Sequence, residues 1–395
     1  MENCGITNPG GFYASGLHCG IKKKESNDLA LVFSEIPCVA AGTFTTNRFK
    51  SFSLLWSLRN IDNPVRAVLA NSGNANTCNG QKSRKNTECI MEELAKILGT
   101  ERSELLFAST GTIGREFPCG PVLKALPLLA ASKSRDNHTE AAKAIMTTDL
   151  AVKECVAETG IRGRKKEVVM GGMAKGSGMI NPSMATMLAF ITTDAVVERG
   201  ALKKALKEAV DDSFNMITVD NDTSTNDMVV CLANGFAGNS SIHEESSEYP
   251  AFSAGLKKIC RELAVKIASD GEGASKLIEV RVKGGWCARD ARRVAKKIAG
   301  SNLFKSAVYG CLPNWGRILS SAGSAHARIN TRKAEVYICG IKVYDGNPVE
   351  YDEKALIKKM GGSKVEICFD MKAGNFDATG WGCDLTEEYV RINKE

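Results

Sequence analysis

Histidine is scarce: the 395 residues hold four, at His18, His138, His243 and His326, and none shares a paired spacing with another. A Cys/His zinc site and a histidine-based triad are therefore unsupported, and a hydroxyl nucleophile would need a different base. No CxxC pair occurs among the 14 cysteines, whose nearest neighbours are Cys78 and Cys89. Such scatter reads as buried, reduced thiols and not as a disulfide framework. Long apolar runs are missing too. The conspicuous uncharged stretch, Gly176 to Thr193, is interrupted by Asn181 and Pro182 and cannot form a spanning helix. The start, MENCGITNPGGFYASG, has no basic segment followed by an apolar one, so no secretory signal is read and a cytoplasmic location is expected. Repeats, low-complexity blocks and Pro/Ser-rich linkers are absent.

What is there is ordinary in bulk. Hydrophobic residues make up 43% and charged residues 25%, as in globular proteins, and the length allows two or three compact units. The net charge of +7 favours an anionic partner only weakly. Strands are read at Asp28 to Ser34, Val65 to Gly73, Leu105 onward, Glu167 into a glycine loop ending at Met179, Met184 to Thr193, Ile278 to Gly285, Ala334 to Gly340 and Lys364 to Met371. Helices are read at Asn86 to Leu98 with Gly99 as the stop, Pro121 to Ser132, Glu198 to Asp211, Gly255 to Ser269 and Ala288 to Ile298. Strands and helices interleave, so the class is mixed α/β, with Gly235 to Pro250 as an exposed loop or a boundary.

Two glycine-bearing segments, Gly171 to Gly178 and Asp270 to Lys276, match neither phosphate-loop pattern, and Lys175 precedes its GSG where a phosphate lysine would follow. Between Ala274 and Lys305 stand nine Lys or Arg against Glu279 and Asp290. A solvated helix face is the first reading of them, and the phosphates of a coenzyme or an acidic substrate the second. Nucleic acid would want stacking aromatics, and only Trp286 lies near. The segment GSGMINPSMATMLAFITTDA carries an isolated hydroxyl, Thr186. It reads either as a plain strand threonine or as an N-terminal nucleophile. If the Ala185–Thr186 bond is cut, Thr186 gains a free α-amine with a pKa of ~7.7–8, able to act as the base. The flanking Gly and Pro suit the unusual backbone that self-cleavage requires. Acyl transfer also needs oxyanion donors, and Ser109-Thr-Gly-Thr-Ile-Gly114 could present a hydroxyl and a backbone N–H.

With these pieces the sequence resembles the ornithine acetyltransferase (glutamate N-acetyltransferase) family of arginine biosynthesis. The resemblance runs through GFYASGLHCGIK, NSGNANTCNG, STGTIG, AIMTTD, KGSGMINPSMATMLAFITTDA, NMITVDNDTSTND, SDGEGASK, GCLPNWGRI and ATGWGCDLTEEYVRIN. It implies an N-terminal-nucleophile-like αββα fold built from two self-cleaved chains, an alpha chain 1–185 and a beta chain 186–395, cut between Ala185 and Thr186. It implies Thr186 as the nucleophile acetylated by N-acetylornithine and deacylated by glutamate in a ping-pong cycle, with Thr110 and Gly111 as the oxyanion pair. Thr147, Lys175, Glu272 and Asn393 match substrate-contacting positions, Lys175 suiting a carboxylate and Glu272 an amine. No cofactor, metal, nucleic acid or membrane is implied. Bifunctional members also use acetyl-CoA as co-substrate and monofunctional ones do not; the sequence leaves both open. The assembly implied is a heterotetramer of two alpha and two beta chains. Two departures stand out. The family runs past the asparagine to a Ser or Thr where this sequence reads Asn393-Lys394-Glu395. Asn221 occupies a position where glycine is common, tolerable because asparagine accepts left-handed backbone. An aminopeptidase or amidase of the same fold, and an uncleaved amino-acid-binding protein, are the alternatives.

Overall fold

The structure is a computed structural model that describes residues 5–164, 166–181 and 187–394. The chain divides into two compact units, the first made of residues up to 176, 187–211 and 223–263, the second of 177–181, 212–222 and 264 onward. These units do not follow the expected cleavage line, since each takes residues from both sides of it. Nor does a boundary fall in the 235–250 loop.

The first unit contains β1 (Phe12–Leu17), β2 (Leu29–Phe44), α1 (Phe52–Asn60), β3 (Val65–Asn71), α2 (Gln81–Leu98), β4 (Leu105–Ser109), α3 (Cys119–Ala131), α4 (His138–Ile145), β5 (Lys153–Arg162), β6 (Glu167–Lys175), β7 (Leu188–Thr193), α5 (Arg199–Asp211), β8 (Met228–Ala233) and the start of α6 (Tyr249–Ser269). Its sheet runs β4-β3-β2-β8-β7-β6-β5, with β1 also on β2. The sequence pattern ends β2 at Ser34, ten residues early. Glu35, Ile36 and Pro37 are exposed and Pro37 has no N–H to give, so the pattern breaks there and the register with β3 shifts between Phe33 and Cys38. The strand does not stop at this corner. Its first part pairs β3 and its second pairs β8, joining two half-sheets.

The alternation of side chains shows how the halves pack. Ala30, Val32, Val68, Ala70, Leu106 and Ala108 share one core with Met173, Leu188, Phe190, Met228, Val230 and Leu232. The residues between them, Leu31, Phe33, Ala67, Leu69, Leu105 and Phe107, face Trp56, Ile90, Met91, Leu94, Val122 and Leu126 of α1, α2 and α3. On the far side, Gly172 of β6 lies against Ile259 and Leu263 of α6. Helices, half-sheet, half-sheet, helix is the αββα layering expected. Gly99 ends α2 at φ 64 with its N–H on Ala95 and Lys96 carbonyls, the left-handed stop the sequence predicts.

The second unit holds β9 (Leu277–Gly285), α7 (Ala288–Ala299), α8 (Asn302–Tyr309), α9 (Trp315–Gly323), β10 (Glu335–Ile338), β11 (Ile341–Asp345), α10 (Glu353–Met360), β12 (Lys364–Asp370), β13 (Phe376–Cys383) and α11 (Glu387–Asn393), with sheet order β11-β10-β12-β9-β13. The basic run does not form one patch. Ala291, Val294, Ala295, Ile298 and Ala299 are the buried stripe of α7, which leaves Arg293 and Lys297 outside. Arg281 pairs with Glu279, Arg292 with Asp212, and Lys305 is buried on the Val219 carbonyl. Asn221 sits at φ 66, as its asparagine identity allows. The described cysteines are free, but Cys78 and Cys89 are exposed, so the reading of uniformly buried thiols fails. No described helix is long and apolar enough to cross a membrane.

Candidate functional site

Lys175 is the last residue of β6 and is 6% exposed. The antiparallel register sets Lys153, the first residue of β5, beside Ala174, so two buried lysines share this sheet edge. Between α4 and β5 the chain turns through Thr147 and Asp149. The Asp149 carboxylate accepts from Lys153 Nζ at 2.7 Å, from the Thr147 N–H at 2.9 Å and from the Gly176 N–H at 2.7 Å. Burial pushes this carboxyl up, but the charges of Lys175 and Lys153 and these donors outweigh it and hold it below the usual carboxylate range. Lys22 also feels Asp149 and Lys175. It lies against the Asp28 carboxylate as well, so three cations face two carboxylates, an excess of one that suits a substrate carboxylate. Thr147 and Lys175, read separately in the sequence, are brought together through Asp149, while the Thr147 side chain stays exposed.

Thr110 and Gly111 follow β4 in a turn laid on residues 73–75. The Thr110 N–H donates to the Asn71 carbonyl at 2.9 Å, so it is spent. The Thr110 hydroxyl has no hydrogen-bond partner among the described residues. Gly111 is exposed at φ 127, and a Cβ there would stand 2.4 Å from the Gly73 carbonyl carbon, so only glycine fits. The pair offers one hydroxyl and one backbone N–H at adjacent positions, which is the donor set the sequence suggests.

In the second unit Asn393 of α11 donates from Nδ2 to Glu272 Oε2 at 2.7 Å. The Glu272 N–H is fixed on the Ser177 carbonyl at 3.1 Å, and the carboxylate presses on Gly178, where a Cβ would lie 2.3 Å from it. Thr386 caps α11 through the Glu388 N–H and donates to the Gly273 carbonyl at 2.7 Å, tying the helix to the Glu272 turn. Glu272 is 9% exposed, an anion available to an amine. Ala185 and Thr186 lie outside the described residues.

Three residues the sequence reading passed over belong to these sites. Asp149 closes the AIMTTD motif and stands four residues before Lys153, but the pair spans a turn and a strand end, where that spacing carries no helical signal. Asn226 and Asp227 end NMITVDNDTSTND. Asp227 is 4% exposed, with the Met187 N–H on its carboxyl and Oδ2 unpartnered among the described residues. Burial drives this carboxyl well above its ordinary value against the opposing charge of Lys175.

The family model of the ArgJ family matches residues 13–395. The arginine biosynthesis bifunctional protein ArgJ of Symbiobacterium thermophilum is 45% identical over 393 residues, 98% of this chain and 97% of that protein. Its counterpart in Thermotoga neapolitana is 44% identical over 393 residues, 98% of both. A crystal structure of the arginine biosynthesis bifunctional protein argJ of Bacillus halodurans is similar with a TM-score of 0.52 and 42% identity, covering 53% of this chain and 99% of that one.

Proposed function

The chain belongs to the ArgJ family, and from that premise we propose that it is an acyltransferase of arginine biosynthesis, moving the acetyl group of N-acetylornithine to glutamate through an ester on Thr186. The Thr186 hydroxyl attacks the acetyl carbonyl, a C–O bond forms, and the C–N bond breaks as ornithine leaves with its amine protonated. Glutamate's α-amine then attacks the ester, and the hydroxyl is restored as N-acetylglutamate departs. Cleavage between Ala185 and Thr186 supplies the base, an α-amine with a pKa of ~7.7–8. Lys175 receives a substrate carboxylate and Glu272, steadied by Asn393, a substrate amine. Thr147 borders the carboxylate end. Because the relatives are named bifunctional, acetyl-CoA serves as a second acetyl donor to glutamate. The protein works in the cytoplasm as a heterotetramer of two alpha chains, 1–185, and two beta chains, 186–395.

The observation that carries this reading is the Thr110–Gly111 pair, whose hydroxyl and N–H can take the oxyanion of both tetrahedral intermediates. Intact mass spectrometry of the denatured protein tests the proposal. Wild type should give fragments 1–185 and 186–395, and Thr186→Ala one inactive chain. A cleaved Thr186→Ala protein would remove Thr186 as the processing hydroxyl. A folded wild type that stays whole, with tight binding of ornithine or glutamate, would favour a non-catalytic role; release of free acetate without glutamate turnover would favour a hydrolase.

A further inference from the structure

The NDTSTND motif has no role in the reaction described above, yet its second asparagine, Asn226, has every hydrogen-bonding position filled. Asn226 Nδ2 donates to the Ser109 carbonyl at 2.9 Å and to the Ala75 carbonyl at 2.5 Å. Its Oδ1 accepts from Thr77 Oγ1 at 2.9 Å and from Thr225 Oγ1. A neutral amide can donate two bonds and accept two, and this one does so while 5% exposed. Few side chains meet that demand. A carboxylate of the same shape would face two carbonyl oxygens with no proton to offer.

The groups it grips are informative. The Ser109 carbonyl and the Thr110 N–H belong to one planar peptide unit. Asn226 holds the oxygen of that unit, and the Asn71 carbonyl holds its N–H at 2.9 Å. The plane that leads into Thr110 and Gly111 is therefore fixed at both ends. The second grip, on Ala75, steadies the segment on which the turn lies, since the Ala75 N–H donates to the Thr112 carbonyl at 3.0 Å and the Thr112 N–H reaches the Gly73 carbonyl at 3.5 Å. Asn226 itself is held by its place just ahead of β8, the strand that pairs in parallel with β7. Residue 226 lies beyond the proposed cleavage point and residues 75 and 109 before it, so the grip joins the two fragments.

We infer that Asn226 is the positioning residue of the oxyanion donors: it touches no substrate and acts through the Ser109 and Ala75 carbonyls to hold the Thr110 hydroxyl and the Gly111 N–H in place. The inference rests on the acyltransferase reading for its effect on rate, but not for its geometry. The test is a kinetic cycle of wild type, Thr110→Ala, Asn226→Asp and the double variant, assayed for acetyl transfer from N-acetylornithine to glutamate. Hydrogen exchange of residues 110–114 is followed in the same proteins. Asn226→Asp should lower kcat about 100-fold, the scale of one lost oxyanion donor, with KM nearly unchanged. In the Thr110→Ala background the same change should cost at most about 10-fold, because both act on one element. Exchange at 110–114 should quicken in Asn226→Asp. Factors that multiply in full, or an unchanged kcat, overturn the inference. If Asn226→Asp does not fold, Thr77→Val, which removes the hydroxyl shared between Asn226 Oδ1 and the Ala75 carbonyl, takes its place and should lower kcat with KM retained; no loss in kcat overturns the inference. A wild type without transfer activity sinks the acyltransferase reading instead. Exchange then decides the clamp alone, and equal exchange in wild type and variant overturns it.

Discussion

Two buried carboxylates lie within reach of the Lys175 charge, and they are driven opposite ways. Asp149 is 9% exposed and Asp227 4%, so depth does not separate them. Donors do. Asp149 receives the Lys153 ammonium and two backbone N–H groups, and stays ionised. Asp227 has the Met187 N–H and Ser224 on its carboxyl, has no partner for Oδ2 among the described residues, and is pushed toward the neutral acid. The lesson concerns the charge of the site more than its stability. With Asp227 held as the neutral acid, the Asp149 and Asp28 carboxylates stand against Lys22, Lys153 and Lys175, and the first unit keeps a small positive excess for a substrate carboxylate. A third ionised acid would cancel it.

The comparison breaks most sharply at Asp149. Replacing it by asparagine leaves Lys153, 2% exposed, without its carboxylate, and should destabilise the protein by about 3–5 kcal/mol in chemical unfolding. A loss below about 1 kcal/mol would mean that the pair does not hold this turn. The sign with pH follows from the lowered folded value. The stability Asp149 contributes is complete above the unfolded carboxylate value, ~3.9, and is lost as pH falls through the lower folded value, so Asp149→Asn should lack that acid limb.

Asp227→Asn should behave in the opposite sense. With its folded value raised, the native carboxyl holds a proton that the unfolded chain has released, so wild-type stability falls as pH climbs from ~3.9 toward the folded value. The asparagine variant cannot ionise. It should match wild type near pH ~4 and gain on it by about 1.4 kcal/mol per pH unit through that window, read from melting temperatures at several pH values. A difference that does not change with pH would show Asp227 ionised and the contrast with Asp149 unfounded.

How much of this the sequence discloses depends on the range of the interaction. Gly99 as a helix stop, β3 from Val65 and the span of α7 are local patterns, and the reading places them within a few residues. The extension of β2 past Pro37 is not local: only pairing with β8, nearly two hundred residues on, keeps those residues extended. Asp149 and Lys153 stand at a spacing that ordinarily marks a helix face, yet here the pair spans a turn and a strand end, where periodicity says nothing. The letters of Asn226 are plain, but its partners at Ala75 and Ser109 come from distant segments. Thr147, Lys175, Glu272 and Asn393 came from the family resemblance, and the structure adds the contacts between them: Asp149 for the first two, a direct 2.7 Å bond for the others.

Lys22 sets the fine scale of the comparison. Its Nζ donates to the Asn27 carbonyl at 2.8 Å, and it is half-buried near Asp149. Burial lowers its pKa; Asp28 and Asp149 pull it back up, Lys175 opposes them, and the balance stays below the ordinary lysine value. The folded protein therefore bears a cost for charging Lys22 that offsets what its attraction to Asp149 supplies. Lys22→Met removes both and keeps the apolar stem, so its net effect should stay within about 1 kcal/mol. The acid limb assigned to Asp149 should move slightly to higher pH, because one stabilising cation is gone. The limb assigned to Asp227 should not move, since Lys175 is the cation that acts on it. Unfolding of Lys22→Met across both limbs decides this. A loss as large as that of Asp149→Asn would transfer the holding of Asp149 from Lys153 and the two N–H groups to Lys22, and the difference between the two carboxylates would then rest on charge at a distance instead of on direct donors.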